Sequence, residues 1–175
     1  NNYQFYVNDL SSEAIDRVYL QTHLKTVVTN NELRVFYQPQ IDMRSGKMLS
    51  VEALVRWQHP AMGLVPPDRV IPLSEDAGMI IPIGEWVLKT SCEQICQWRK
   101  QGYPIEHVSV NLSGVQIKQS DLVDRVSAIL QQTGCQPEWL ELEITESVIM
   151  GYADQTIKTL TALREMGVML SIDDF

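Results

Sequence analysis

The sequence predicts an α/β fold with a mainly parallel sheet, curved into a barrel that carries its functional groups at one end. Three observations lead there. Short apolar runs rich in β-branched residues alternate with amphipathic stretches, as strands alternate with helices in βαβ units. Four of those runs deliver an oxygen-bearing side chain near their ends: Glu52 in SVEALVRW, Asn111 in VSVNLS, Glu143 in LELEITES, and Asp173 with Asp174 in VMLSIDDF. The spacing between them is regular: 32 residues from Asn111 to Glu143, 30 from Glu143 to Asp173, and 59 from Glu52 to Asn111. The shorter intervals match one strand, helix, strand unit and the longest matches two. Polar residues recurring at the carboxyl ends of parallel strands are how a barrel assembles a site.

Taken in order, residues 1–9, NNYQFYVND, alternate aromatic and polar side chains and read as the tail of a preceding domain. A connector helix is expected over 10–31, with Ser11 and Ser12 as caps, Glu13 in the first turn, and Ile15, Val18, Tyr19 and Leu24 roughly on one face. The repeating part occupies 32–175. RVFYQPQI reads as a strand, and SGK at 45–47 as the turn into MLSVEALVRW, so the first two strands are antiparallel neighbours. After HPAMGLVPPDR comes a short helix begun by Pro67 and Asp68 and ended by Gly78. A longer helix is expected from about Ile83 to Gln101, with Gly102 as its stop. Strands then fall at 107–112, 139–144 and 168–173, separated by helices at 120–133 and 153–166.

Composition narrows the partners. The 175 residues suffice for one domain with a sizeable core, and 45% hydrophobic content is ordinary for a globular chain. Fourteen basic against twenty-two acidic residues give a net charge of −8. With no Lys/Arg-rich run, polymeric nucleic acid is not an expected partner. An acidic protein still takes a phosphate ligand when divalent cations intervene. The three cysteines lack a framework spacing, which points to a reducing, cytoplasmic setting. Cys92 and Cys96, one helical turn apart, read as buried core thiols rather than a metal or redox pair. No apolar stretch is long enough for a membrane span, no signal peptide opens the chain, and no membrane contact is expected from this segment. An anchor elsewhere in a parent protein is left open, since residue 1 is Asn and the sequence reads as an excised piece.

Glu, Asn, Glu and Asp are hard oxygen donors, suited to Mg²⁺ or Mn²⁺, whereas zinc draws histidine or cysteine. His23, His59 and His107 occupy none of these positions. Four carboxylates in one cleft repel one another unless cations share it. Two divalent ions about 3.5–4 Å apart are the usual apparatus for in-line phosphodiester hydrolysis. The adjacent Asp173 and Asp174 can serve one site only where the chain leaves the sheet, because neighbouring strand residues face opposite ways. Arg56 stands four residues after Glu52 on the same strand face and is suited to hold a phosphate oxygen. Singly, each residue has an ordinary explanation as a solvated strand residue, a turn former or a cap. Together, at matching strand ends, they read as one site.

The motifs Tyr37-Gln38-Pro39-Gln40, Glu52-Ala53-Leu54 with Val55-Arg56-Trp57, Val110-Asn111-Leu112-Ser113, Glu143-Ile144-Thr145-Glu146 and Asp173-Asp174-Phe175 resemble those of the EAL domain family. The resemblance covers roughly 20–175, about the first two thirds of such a domain. It implies a modified TIM (β/α)₈ barrel whose first strand is antiparallel, with its C-terminal part beyond this chain. It implies a Mg²⁺- or Mn²⁺-dependent phosphodiesterase that opens cyclic di-GMP to linear pGpG with two metal ions. By the same resemblance, Glu52, Asn111, Glu143, Asp173 and Asp174 are metal ligands, with Glu52 and Asp174 also catalytic. Gln38, Leu54 and Arg56 are substrate contacts, and Glu146 anchors the loop after DDF. A homodimer formed through the full-length domain is a further implication.

The family's later lysine and glutamate would follow Phe175, so the 175-residue piece alone is expected to bind ligand but to turn it over negligibly. The opening YQFY and the connector helix resemble the junction after a GGDEF domain, which implies a tandem GGDEF–EAL parent. The alternatives are a non-catalytic cyclic di-GMP receptor and a dimerisation module.

Overall fold

The computed structural model describes residues 9–145 and 153–173. Helix α1, Asp9–Leu24, leads through turns to Asn31, so the expected 10–31 helix ends a turn or more early. Asn31 adopts φ 55°, a left-handed conformation that asparagine tolerates and a helix interior excludes. Strands β1, Leu33–Ile41, and β2, Met48–His59, then pair antiparallel as predicted. Their turn is fastened by Asp42, whose carboxylate accepts from both the backbone N–H and the hydroxyl of Ser45 at 2.6 Å. Strand β3, Gly63–Val65, adds antiparallel to the end of β2; three residues among prolines gave no alternation to read.

Helix α2, Pro67–Asp76, precedes α3, Ile80–Lys100. Gly78, at φ 68°, reverses the chain between them, a conformation that costs glycine nothing. Helix α3 begins a turn before the expected Ile83, because Pro82 falls in the first turn, where its missing N–H has no partner to lose. Strand β4, His107–Asn111, is followed by a single turn, α4, Gly114–Ile117, and by α5, Leu122–Thr133. A 3₁₀ turn at Pro137–Trp139 leads into β5, Leu140–Thr145; then come α6, Ala153–Glu165, and β6, Met169–Asp173.

The strands form one sheet in the order β1-β2-β4-β5-β6, with β3 against β2. Neighbours from β2 onward are parallel, and β1 alone on this path is antiparallel. Side chains alternate between the two faces. On one face Val51, Ala53, Val55, Trp57, Val108, Val110, Leu140, Leu142 and Ile144 are buried in the core cluster that also takes Ile83, Val87, Cys92 and Ile95 of α3. Trp57 is 0% exposed and its indole N–H donates to Glu32 Oε2 at 2.9 Å, tying the start of β1 to β2. Full burial of such side chains contributes roughly 1.5–3 kcal/mol each.

Cys92 and Cys96 are buried and free, as the core reading expects, but they are not alone. Cys135, just past α5, is buried with them; its interaction with Cys92 and then its burial push its thiol up. Among the described residues no three His, Cys, Asp or Glu side chains are arranged to hold a metal. Helix α1 packs on the far end of β2, where the Tyr19, His23 and His59 rings lie 4.2–5.5 Å apart and Arg17 pairs with Asp76 of α2. Among the described residues no helix is long and apolar enough to cross a membrane.

Candidate active site

The second face of the sheet is polar, and its register arranges the polar residues in tiers. Glu52 pairs with Gln38 across the hairpin and with Ser109 of β4. Asn111, two residues further along β4, pairs with Glu143 of β5. Glu143 pairs with Ser171, and Thr145 with Asp173. The oxygen-bearing positions therefore climb two residues from β2 to β4 and two again by β6, the stagger that tilted barrel strands require. A line of residues that looks irregular in sequence becomes a continuous rim that runs from the middle of β2 to the carboxyl ends of β4 and β6.

Contacts confirm that the rim closes between β2 and β4. Asn111 Nδ2 donates to Glu52 Oε1 at 2.8 Å, joining residues 59 apart in sequence. Asn111 is thereby oriented with its amide nitrogen committed and its carbonyl oxygen as the remaining acceptor. Glu143 is 9% exposed, and its backbone carbonyl accepts from the Leu112 N–H at 2.8 Å. The chain turns immediately after Asn111 into α4, where a capping box fixes it: the Ser113 hydroxyl accepts from Gln116 N and Gln116 Oε1 from Ser113 N. Gln116 is 5% exposed and lies against Gly84 of α3; a Cβ there would stand 2.0 Å from Gln116 Nε2. A cavity of about 580 Å³ lies between this end of the sheet and α2, α3 and α4; Leu54, Asn111, Glu143 and Thr145 line it together with Ile71, Ile83 and Gln116, while Gln38, Glu52 and Arg56 do not.

One tier below, Glu141 shares the face with Glu143 but is already engaged. It accepts from the Ser109 hydroxyl at 2.5 Å, and His107 Nε2 lies 3.2 Å from the same oxygen. His107 first, then Ser109, holds its carboxyl below the usual range despite burial. The LELE motif thus places one glutamate in the floor and one on the rim.

At the mouth, Leu54 pairs with Phe36 and Arg56 with Arg34. Arg56 Nη1 donates to Val55 O at 2.9 Å, and its guanidinium lies over the Phe36 ring, 5.7 Å from the centroid. The structure therefore brings Gln38, Glu52, Leu54, Arg56, Asn111 and Glu143 to one face. Asp173 ends β6 in register with Thr145, while its side chain, Asp174 and Glu146 lie outside the described residues. Sequence reasoning passed over Arg34 and Phe36, which stand at even spacing before Gln38 and so share its face; that alternation was the available signal.

Comparison with known proteins agrees with this architecture. The EAL domain family matches residues 21–175. The chain is 40% identical over 175 residues to the oxygen sensor protein DosP of Escherichia coli, covering 22% of that protein. It is 39% identical over 175 residues to the bifunctional diguanylate cyclase/cyclic di-GMP phosphodiesterase MucR of Pseudomonas aeruginosa, covering 26% of it. It thus spans about a quarter of these relatives' length. Among solved structures, the PaMucR phosphodiesterase in complex with c-di-GMP superposes at TM-score 0.85 with 41% identity, over 89% of this chain and 64% of that one. The EAL enzyme Bd1971, in its cAMP- and cyclic-di-GMP-bound form, gives 0.84 at 30% identity, over 93% of this chain and 45% of that one. A mixed sheet with an antiparallel first strand, a carboxylate and amide rim, and a family match running from α1 to Phe175 lead to one conclusion: the chain belongs to the EAL domain family.

Proposed function

We propose that the polar rim is the metal and substrate site of a cyclic di-GMP phosphodiesterase, which opens the cyclic dinucleotide to linear pGpG in the protein of which this chain is part. The observation that carries the reading is the convergence of Glu52, in the middle of β2, with Asn111 at the end of β4 and Glu143 near the end of β5, on one face of three parallel strands. The donor chemistry fits Mg²⁺ or Mn²⁺: two carboxylates and an amide oxygen, with no histidine or cysteine among them. Asp173 and Asp174 are the further ligands proposed from the motif, with Glu52 and Asp174 serving the chemistry. Bound divalent ions supply Lewis acidity and a deprotonated water for in-line attack.

The chain's own residues define the rest. Glu52 and Glu143 present carboxylates, and the Asn111 amide fixes the Glu52 rotamer by its hydrogen bond. Arg56 holds a phosphate oxygen, Gln38 and Leu54 contact the nucleotide, and Glu146 anchors the loop after β6. In the floor beneath, Ser109 and His107 engage the Glu141 carboxylate and hold it apart from the rim. The similarity to a phosphodiesterase solved with c-di-GMP supports the ligand class. A homodimer is proposed for the full-length domain.

Calorimetric titration with cyclic di-GMP, in Mg²⁺ and again in EDTA, tests the reading. An enzyme site binds in Mg²⁺ and weakens sharply in EDTA. Equal affinity in both marks a metal-independent receptor and overturns it.

A further inference from the structure

We propose that Arg34 is a second phosphate-binding residue, forming with Arg56 a clamp for the phosphate of a cyclic dinucleotide that is not at the carboxylate rim. The inference rests on the reading above that this face takes a cyclic dinucleotide. Arg34 and Arg56 are direct cross-strand partners, on one face, at the mouth of the site. Such partners have Cβ atoms about 4.5–5.5 Å apart, and like charges placed there destabilise a hairpin. Two other arginines find carboxylates, Arg17 with Asp76 and Arg125 with Glu85 and Asp121, whereas among the described residues Arg44, Arg69, Arg99 and Arg164 make no ion pair. Among the described residues neither Arg34 nor Arg56 has an ion-pair partner, in a chain with twenty-two acidic residues. Two cross-strand arginines without a carboxylate partner in an acidic protein are an arrangement that an anion stabilises.

Both groups are also pre-set. Arg34 Nη1 donates to Asn31 O at 2.8 Å and Leu33 O at 2.6 Å, reaching back to the left-handed turn before β1. Arg56 is held by Val55 O and by the face of Phe36, a ring that is 50% exposed beside Leu54. Each guanidinium is rooted through one nitrogen and keeps its other N–H donors, the fork that matches phosphate oxygens. Glu52 lies four residues back along β2, about 13 Å at strand rise. That separation suits two phosphates of one dinucleotide rather than a single phosphate.

The test uses Arg34→Gln and Arg34→Lys in the intact chain. In Mg²⁺, Arg34→Gln weakens cyclic di-GMP binding about tenfold or more, the loss expected for a charge-assisted hydrogen bond, and Arg34→Lys recovers only part of it. For an analogue with one phosphodiester replaced by a neutral linkage, parent and Arg34→Gln bind alike. Inorganic pyrophosphate in EDTA provides a readout independent of substrate identity: it raises the melting temperature of the parent and of neither Arg34→Gln nor Arg56→Gln. Unchanged cyclic di-GMP affinity in Arg34→Gln, equal loss with the neutral analogue, or equal stabilisation of Arg34→Gln by pyrophosphate overturns the inference. A parent that ignores cyclic di-GMP yet is stabilised by pyrophosphate through Arg34 refutes the substrate reading and leaves the clamp standing.

Discussion

Replacing Gly84 by alanine isolates the device that fixes the chain just after Asn111. Glycine inside a helix costs about 1 kcal/mol relative to alanine, so Gly84→Ala on its own would stabilise α3 by that amount. The new Cβ, however, would stand 2.0 Å from Gln116 Nε2 and 2.8 Å from its Cδ. Gln116 must swing away, and its amide is buried and holds the Ser113 N–H at 3.0 Å. Losing the capping box costs about 1 kcal/mol, and leaving the half-buried Ser113 N–H unpaired about 1–3 more. The net is a destabilisation of about 1–3 kcal/mol, read as a melting temperature lowered by roughly 2–12 °C for a chain of this size. In a Gln116→Ala background the clash is gone, and the same substitution should raise the melting temperature by about 2–4 °C. Thermal melts of the four proteins measure this sign reversal. If Gly84→Ala stabilises both backgrounds equally, Gln116 does not occupy the space above Gly84 and the positioning argument fails.

Asn111→Leu removes the hydrogen bond to Glu52; Mn²⁺ affinity should fall roughly 10–100-fold by calorimetry, and an unchanged affinity would count against the rim. Trp57→Phe takes the indole donor from Glu32 Oε2, leaving the carboxylate its bond from Asn30 Nδ2 at 3.1 Å, and should cost about 1–3 kcal/mol in urea unfolding, whereas a neutral result would mean water replaces the indole. Burial first and His23 second push His59 below its ordinary 6.5, and its Nδ1 accepts from the Ala61 and Met62 N–H groups at 3.1 Å. Its stabilisation is therefore complete above pH 6.5 and lost as pH falls through the lowered folded value; melts from pH 8 to 5 should decline, and decline less in His59→Asn. The three buried thiols should react with Ellman's reagent only as fast as the chain opens, and rapid labelling of folded protein would contradict their packing.

Much of this arrangement was legible because strand periodicity is strict. The hairpin was readable from alternation either side of Ser45-Gly46-Lys47, and the parallel strands from the even spacing of Asn111, Glu143 and Asp173. What escaped depends on register and packing, which local sequence does not encode. Arg34 faces Arg56 only once the hairpin register is known. Glu141 and Glu143 are equivalent by spacing, and only His107 and Ser109 show which is committed below the rim. Strand β3 and helix α4 are too short to carry a period, and their ends are set by pairing with β2 and by the Ser113 cap. Cys135 lies 39 residues from Cys96, so its place beside it is a consequence of α5 folding back along α3.

The rim itself is tested most directly by crystals grown with Mn²⁺ and measured at its absorption edge. Anomalous peaks are expected within coordination distance of Glu52, Asn111 and Glu143, at about 2–2.4 Å from their oxygens. Peaks absent there, or found only at surface carboxylates, would contradict the assignment of this face as the metal site.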